Sequence, residues 1–302
     1  MSFLSALGLH GQLGSRLAGV LGFTVAFQAA FAAYAVPTQT EKYYDLAGSL
    51  GFITTTALSM YYPSVKSLFT NGPRIPFHLP TTAFFHPRQL IISGLMILWA
   101  GRIGSFLLQR VLKAGKDSRF DDLKTKPLIF TGMWFGQAVW VSTVALPAIL
   151  VNSIPRAAMP ALGLRDLLAV GIWAGGLGLE ILADREKSAW RSAKEAKKHE
   201  EKFISSGLWA FSRHPNYLGE FILQFGPPVL ALSAFPAGSP LKYLVFASPL
   251  FTYTLLRYAS GVPPLEQSGE KKWGSDEGWR KYVKDTSVMI PWPGGLGKGK
   301  AA

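Results

Sequence analysis

The stretch GLWAFSRHPNYLGE, at residues 207–220, joins a dense group of polar side chains to the start of an apolar segment. Within eight positions it carries Arg213, His214, Asn216, Tyr217 and Glu220. Two interpretations fit such a run at the edge of a membrane. It is either a binding site or an interfacial anchor, in which Arg and His meet lipid headgroups and aromatic residues form a belt.

The composition is that of a membrane protein. Of the 302 residues, 49% are hydrophobic and 16% are charged, whereas soluble domains carry about 25% charged residues. Apolar stretches of the ~20 residues that a bilayer core requires account for the difference. The sequence therefore predicts an all-α, polytopic membrane helical bundle.

Seven apolar stretches are candidate transmembrane helices, at residues 17–36, 46–62, 89–108, 128–151, 162–183, 217–235 and 241–258. The second is short and rich in Thr and Ser. With seven spans, 23 of the 31 lysines and arginines fall on one side of the membrane and 5 on the other. The positive-inside rule then predicts that the basic loops and the C-terminus are cytosolic.

Two ionisable side chains fall inside predicted spans, Arg102 and Glu180. Such groups are costly in a membrane, so they are usually paired or functional. Two interpretations therefore remain: Arg102 and Glu180 form an ion pair, or Glu180 has a catalytic role.

Other polar or small residues in the spans have two interpretations as well. Gln137 and Gln224 face either a cavity or a neighbouring helix. Gly175, Gly176 and Gly178 form a small-residue face, which favours close helix packing over ligand approach.

Several function classes lack support. The chain contains no cysteine, which excludes a disulfide scaffold, a thiol nucleophile and a zinc site with Cys ligands. The five histidines show no metal-binding spacing, and no GxSxG nucleophile elbow occurs. We therefore expect no metal. The net charge of +13, in so hydrophobic a chain, favours membrane lipids or a phosphorylated cofactor over nucleic acid.

The charged segment 184–206 predicts a solvent-facing helix that continues the fifth span. Its Asp184 and Arg191 lie about two turns apart, and so share one helix face. With the opening stretch and the tail, they form a basic group on the predicted cytosolic side: Arg191, Arg213, His214, Arg257 and Arg280, with Asp184, Asn216, Tyr217, Glu220 and Tyr282. Arginines suit phosphate oxygens and carboxylates suit ribose hydroxyls, so a nucleotide-type cofactor is predicted.

Several motifs resemble a known family. They are RIGSFLLQRVLKAGKDSRFDD (102–122), ADREK (183–187), SRHPNYLGE (212–220), SGVPPLE (260–266), KKWG (271–274) and GWRKYVKDTSVMIPW (278–292). Together they resemble the C-terminal domain of the steroid 5-alpha-reductase superfamily, particularly its uncharacterised members. Related patterns occur in sterol C=C reductases and in isoprenylcysteine carboxyl methyltransferases.

The resemblance implies a seven-helix bundle whose C-terminal half binds NADPH from the cytosolic side. By motif position it implies cofactor contacts for Asp184, Arg191, Asn216, Gly219, Glu220, Arg257, Arg280 and Tyr282. The basic group on the predicted cytosolic side adds Arg213, His214 and Tyr217 as candidate cofactor contacts. Tyr217 and Glu180 are the candidate proton donors. Residues 1–88 would be membrane helices of unassigned role, 89–292 the catalytic domain and 293–302 a flexible basic tail.

The expected activity is NADPH-dependent reduction of a C=C bond in a steroid-like or enoyl-lipid substrate that arrives through the bilayer, in the endoplasmic reticulum. One alternative is an S-adenosylmethionine-dependent methyltransferase of the isoprenylcysteine or phospholipid type. The other is a non-catalytic lipid-binding protein of the same fold, because the Glu and Tyr that polarise the substrate in steroid reductases have no placed counterpart here. A second departure is Glu186, where the uncharacterised members often carry Gln.

Overall fold

The computed structural model describes residues 12–114, 117, 120–236 and 238–291. The predicted all-α class is confirmed for these residues, which form no strand ladder and contain one isolated bridge, between Ser212 and Ser287. The predicted tail at 293–302 lies outside the described residues.

The helices are α1 (Gln12–Ala35), α2 (Tyr44–Leu68), α3 (Pro87–Ala114), α4 (Pro127–Ser153), α5 (Leu164–Glu195), α6 (Pro215–Leu223), α7 (Gly226–Leu232), α8 (Leu241–Leu244), α9 (Ala247–Tyr258), α10 (Val262–Trp273) and α11 (Glu277–Asp285). Short 3-10 turns occupy Arg156–Ala158 and Gly207–Ala210. Proline lies in the first turn of α3, α4, α6 and α10, where its missing N–H would have no helical partner anyway.

Four of the described helices are long and apolar enough to cross a membrane. The stretches are Leu13–Ala35, Pro87–Gln109, Pro127–Ser153 and Leu164–Glu195. They support an integral membrane protein. The seven-span count is not confirmed, because α2 is more polar and the helices after α5 are short.

The predicted sixth and seventh spans are each divided. Residues 217–235 form parts of α6 and α7, and residues 241–258 form α8 and α9. Pro227 and Pro228 lie in the first turn of α7, and Pro249 lies in the first turn of α9. Proline cannot donate a hydrogen bond to the preceding turn, so each of these positions starts a helix instead of continuing one.

The chain forms two compact units. One contains residues 1–169 and 227–248, and the other contains residues 170–226 and 249–302. In the first unit, α2 packs against α1, α3 and α4. The Phe52 ring of α2 meets Trp99 at 4.9 Å and Trp140 at 4.8 Å between centroids. The predicted functional boundary at residue 88 stays a prediction.

Buried polar side chains join the helices of the first unit. The Gln137 amide donates to Gln28 Oε1 and to the Tyr44 carbonyl, each at 3.0 Å. The hydroxyls of Thr24 and Thr55 are 2.9 Å apart. Of the two alternatives for Gln137, the structure therefore favours the neighbouring helix, where polar side chains hold membrane helices together.

A buried ion pair closes one end of this unit. Arg88 is fully buried and donates to both carboxylate oxygens of Asp166, at 2.7 and 2.8 Å. The same guanidinium donates to the carbonyls of Pro160 and Ala161, at 3.0 and 3.2 Å. Arg88 thus ties the start of α3 to the start of α5.

Candidate functional site

The candidate site lies in the second unit, and it starts from a close crossing of α5 and α6. A Cβ atom on Gly176 would lie 2.7 Å from the Gly219 carbonyl oxygen, and one on Gly219 would lie 2.5 Å from the backbone nitrogen of Glu180. Gly175 and Gly178 have nothing within 4 Å of such an atom. Of the three glycines in the small-residue face, Gly176 is therefore the one that packs closely against α6, and Gly219 is its counterpart on α6.

The crossing brings two predicted cofactor residues together. Asn216, in the first turn of α6, donates its side-chain amide to Asp184 Oδ1 in α5 at 3.3 Å. Both side chains are half-buried. The opening stretch and the ADREK motif therefore lie side by side at this point, although about thirty residues separate them in sequence.

Glu186 and Lys187 fasten the 207–210 turn to the same helix. The Glu186 carboxylate accepts a hydrogen bond from the Leu208 N–H at 2.9 Å. Gly207 has a φ of +57°, and a Cβ atom there would lie 2.7 Å from the Glu186 oxygens. The Lys187 ammonium lies 4.3 Å from the centre of the Trp209 ring. At position 186, where the uncharacterised members often carry Gln, this chain therefore has a carboxylate that accepts a hydrogen bond from the 207–210 turn.

Arg213 is held on several sides by the protein itself. Its Nη1 donates to the carbonyls of Val283 and Thr286, at 2.6 and 2.7 Å. Its Nε and Nη2 donate to Glu266, at 3.2 and 2.8 Å. The side chain is buried. Arg213 therefore joins the opening stretch to α10 and α11, and a phosphate ligand would have to displace these partners.

His214 shares the carboxylate of Glu266. Its Nε2 lies 2.8 Å from Glu266 Oε1, and its ring stacks on Tyr217 with centroids 5.5 Å apart. The imidazole is 5% exposed. Its Nδ1 is buried and has no hydrogen-bond partner among the described residues.

Charge and burial determine the protonation of this pair. Burial by itself would raise the pKa of Glu266, but the hydrogen bonds from His214 and Arg213 outweigh it and lower the pKa to about 2. Burial lowers the pKa of His214, although the Glu266 hydrogen bond opposes this shift. At neutral pH the imidazole is therefore neutral, with Nε2–H donating to Glu266 and an acceptor lone pair on Nδ1.

The α11 segment closes over the turn. The Tyr282 hydroxyl donates to the Trp209 carbonyl at 2.8 Å, and burial raises the pKa of Tyr282. Arg280 is exposed, and its Nε donates to the Gly274 carbonyl at 2.8 Å. Tyr282 therefore contacts the protein, while Arg280 keeps its outer nitrogens at the surface.

Two further arginines of the predicted site have no described contact with Glu266, Arg213 or His214. Arg191 is exposed and forms no hydrogen bond or ion pair with another described residue. The Arg257 guanidinium lies 5.1 Å from the centre of the Tyr258 ring. Both guanidinium groups therefore have hydrogen-bonding capacity for a ligand.

The acidic residues near the crossing are buried. Gln224 donates to Glu220 Oε1 at 2.8 Å, so this glutamine contacts its own helical segment. Glu180 is 5% exposed. The predicted Arg102–Glu180 pair would join residues of different units and stays a prediction.

Glu266 was not predicted from the sequence. Its signal was a single carboxylate in the first turns of a proline-started helix within a basic tail. The sequence spacing does not link Glu266 to His214 or Arg213, which lie 52 and 53 positions earlier. Within the part of the chain that the structure describes, no group of three or more His, Asp or Glu residues is placed to hold a metal ion.

A comparison with known families decides the relationship. A family described as protein of unknown function (DUF1295) matches residues 33–286. The chain belongs to this family. The DUF1295 proteins form a steroid 5-alpha-reductase-like family, and the match covers each candidate site residue named above.

The chain matches no curated protein and no solved structure.

Proposed function

We propose that the chain is a membrane-embedded NADPH-dependent reductase of a C=C bond in a lipophilic, steroid-like or enoyl-lipid substrate. The contact between Asn216 and Asp184 carries this proposal, because it places the RHPNY segment beside the helix that bears Arg191. Membership of a steroid 5-alpha-reductase-like family supports it.

The residues of the second unit fit the parts of NADPH. The cofactor has a pyrophosphate and a 2′-phosphate, which call for several arginines. Arg191 and Arg280 are exposed, and Arg257 is half-buried. Asp184 suits ribose hydroxyls, and the acceptor at His214 Nδ1 suits an amide N–H of the nicotinamide carboxamide, which would have to displace the side chains that bury this nitrogen. Arg213 contributes by holding the segment in place.

NADPH, when bound, supplies a hydride. The part of this chain would be to hold the phosphates, to exclude water and to keep a proton for the second carbon. The Tyr217 hydroxyl and the Glu180 carboxyl group are the candidate proton donors. Tyr217 is half-buried against His214, and Glu180 is buried beside the helix crossing.

The methyltransferase alternative rests on the same histidine, because a buried acceptor also suits the ammonium group of S-adenosylmethionine. That donor carries no phosphate, so it would leave the arginines without a ligand. The non-catalytic alternative rests on the fact that no residues of this chain have been placed as counterparts of the Glu and Tyr that polarise the substrate in steroid reductases.

For localisation we propose the endoplasmic reticulum, with the basic site on its cytosolic face, from the distribution of basic residues.

Ligand binding by the purified protein in detergent tests the proposal. NADPH, NADH and S-adenosylmethionine would be compared by thermal shift, because a ligand of the folded state raises the unfolding temperature with saturation. We expect the largest shift with NADPH. A shift with S-adenosylmethionine alone would overturn the reductase proposal, and no shift with any of the three would favour the non-catalytic alternative.

A further inference from the structure

The loop between α2 and α3, at residues 69–86, exposes an unusual number of apolar side chains. Phe69 is 83% exposed, Phe77 56%, Leu79 76% and Phe84 49%. Arg74 is the one lysine, arginine or acidic residue in the loop. Contiguous exposed apolar surface usually marks a site of contact with a partner or a membrane.

The backbone of this loop is nevertheless held firmly. Side chains of α2 bind it at three places: Ser67 Oγ accepts from Ile75 N at 3.0 Å, Ser64 Oγ donates to Pro76 O at 2.9 Å, and Tyr61 OH donates to His78 O at 2.9 Å. Arg74 Nη1 donates to the Ser67 carbonyl at 2.5 Å, and Arg156 donates to the Ala83 carbonyl. The apolar side chains are therefore presented on an ordered support.

Two ring contacts add to this support. His78 and Phe84 stack with centroids 3.7 Å apart, and Tyr61 of α2 meets Phe85 edge to face at 5.5 Å. Phe77 also lies 5.9 Å from Tyr61 between ring centroids. The loop therefore contacts α2 on its inner side, while large parts of Phe69, Phe77, Leu79 and Phe84 stay exposed.

The position of the loop identifies what covers these side chains. It begins where α2 ends at Leu68 and finishes at Pro87, the first residue of the candidate span Pro87–Gln109. The end of α4 lies at the same level, because the Gln89 amide donates to the Ile154 carbonyl at 3.2 Å. The loop therefore lies where a membrane-crossing bundle meets the headgroup region, which takes aromatic, proline and arginine side chains.

We propose that residues 69–84 form a preformed interfacial anchor whose partner is the lipid bilayer at this end of the first unit. Phe77, Leu79 and Phe84 enter the boundary between headgroups and acyl chains. Arg74 stays at the level of the lipid phosphates. Since the backbone is already ordered, the loop has little conformational entropy to lose on contact with lipid.

Spin-label accessibility in lipid nanodiscs tests this assignment, because the chain has no cysteine. Single cysteines at Phe77, Leu79 and Phe84 would each carry a nitroxide. Leu98, which is 64% exposed near the middle of α3, provides the hydrocarbon control, and the exposed Lys198 provides the aqueous control. Collision rates with oxygen and with a water-soluble nickel chelate would be measured for each label.

We expect the three loop labels to favour oxygen over the nickel chelate, with ratios between those of the Leu98 and Lys198 controls. Ratios equal to the Lys198 control would place the loop in water and overturn the proposal. Labels that are immobilised and shielded from both reagents would also overturn it, because they would indicate a protein partner or a second copy. A wild-type unfolding temperature for each labelled variant would show that the fold is intact.

Discussion

Gly176 in α5 and Gly219 in α6 meet backbone to backbone, since a Cβ atom on either would lie 2.7 Å from the carbonyl oxygen of the other. Gly219→Ala should therefore force the helices apart. We expect it to lower the free energy of unfolding by about 1–3 kcal/mol, as overpacking usually does. Thermal unfolding in detergent would measure this.

Gly175→Ala is the matched control, because that position has open space around it. It should leave stability unchanged or raise it slightly, since alanine favours a helix over glycine. Equal losses in both variants would contradict the crossing.

Arg191→Ala should weaken NADPH binding and leave the fold intact. The side chain is exposed and forms no hydrogen bond or ion pair with another described residue, so its removal has little structural cost. Loss of one charge-assisted hydrogen bond, about 1.5–3 kcal/mol, corresponds to a rise in Kd of roughly 10- to 100-fold. Titration of the purified protein with NADPH would measure it.

The control for this experiment is Arg185→Ala. Arg185 is also exposed on α5 but lies six residues from Arg191, on another face of the helix. It should bind NADPH like the wild type. An unchanged Kd for Arg191→Ala would falsify its phosphate role.

Arg213→Lys should destabilise the protein, because lysine cannot make the forked contacts to Glu266 and to two carbonyls together. We expect a loss of about 2–3 kcal/mol from the contacts to buried groups. The unfolding temperature would fall in the absence of any ligand. A variant with wild-type stability and poor NADPH binding would instead assign Arg213 to the ligand.

The pair of Glu266 and His214 predicts a dependence of stability on pH. Because the pKa of Glu266 is lowered to about 2 from an ordinary value of 4.5, its contribution is present above pH 4.5 and is lost as the pH falls toward 2. The pKa of His214 is also lowered, so its contribution is lost as the pH falls below 6.5. Both shifts predict weaker folding in acid.

Unfolding measured between pH 7 and pH 3 would check these signs. His214→Asn should remove the part of the loss that begins near pH 6.5, and Glu266→Gln should remove the part that begins near pH 4.5. A wild-type pH profile in both variants would show that other groups cause the acid sensitivity.

The buried pair of Arg88 and Asp166 predicts asymmetric effects of mutation. Arg88→Met alone leaves a buried carboxylate without its partner and should cost about 3–5 kcal/mol. The double variant with Asp166→Leu removes both charges and should recover most of that stability. Unfolding of the wild type, of Arg88→Met and of the double variant would decide, and a double variant no more stable than Arg88→Met would argue against the pair.

The helical class, the four long apolar helices and the proximity of Asp184 to Asn216 were predictable from sequence. Hydropathy and proline positions act locally, because a helix in lipid must satisfy its backbone hydrogen bonds within its own segment. The same local chemistry explains why the helices divide at Pro227 and Pro249. The apolar composition of these stretches had instead predicted one continuous span in each.

Only the tertiary structure decided which residues meet. It selected Gly176 from three neighbouring glycines, and it gave Arg213 protein partners where the sequence had suggested a ligand. It also joined Glu266 to His214, 52 residues earlier in the chain. Contacts of this kind depend on how closely packed helices approach one another. The spacing of residues along one helix determines the face a side chain occupies, but not the group it meets there.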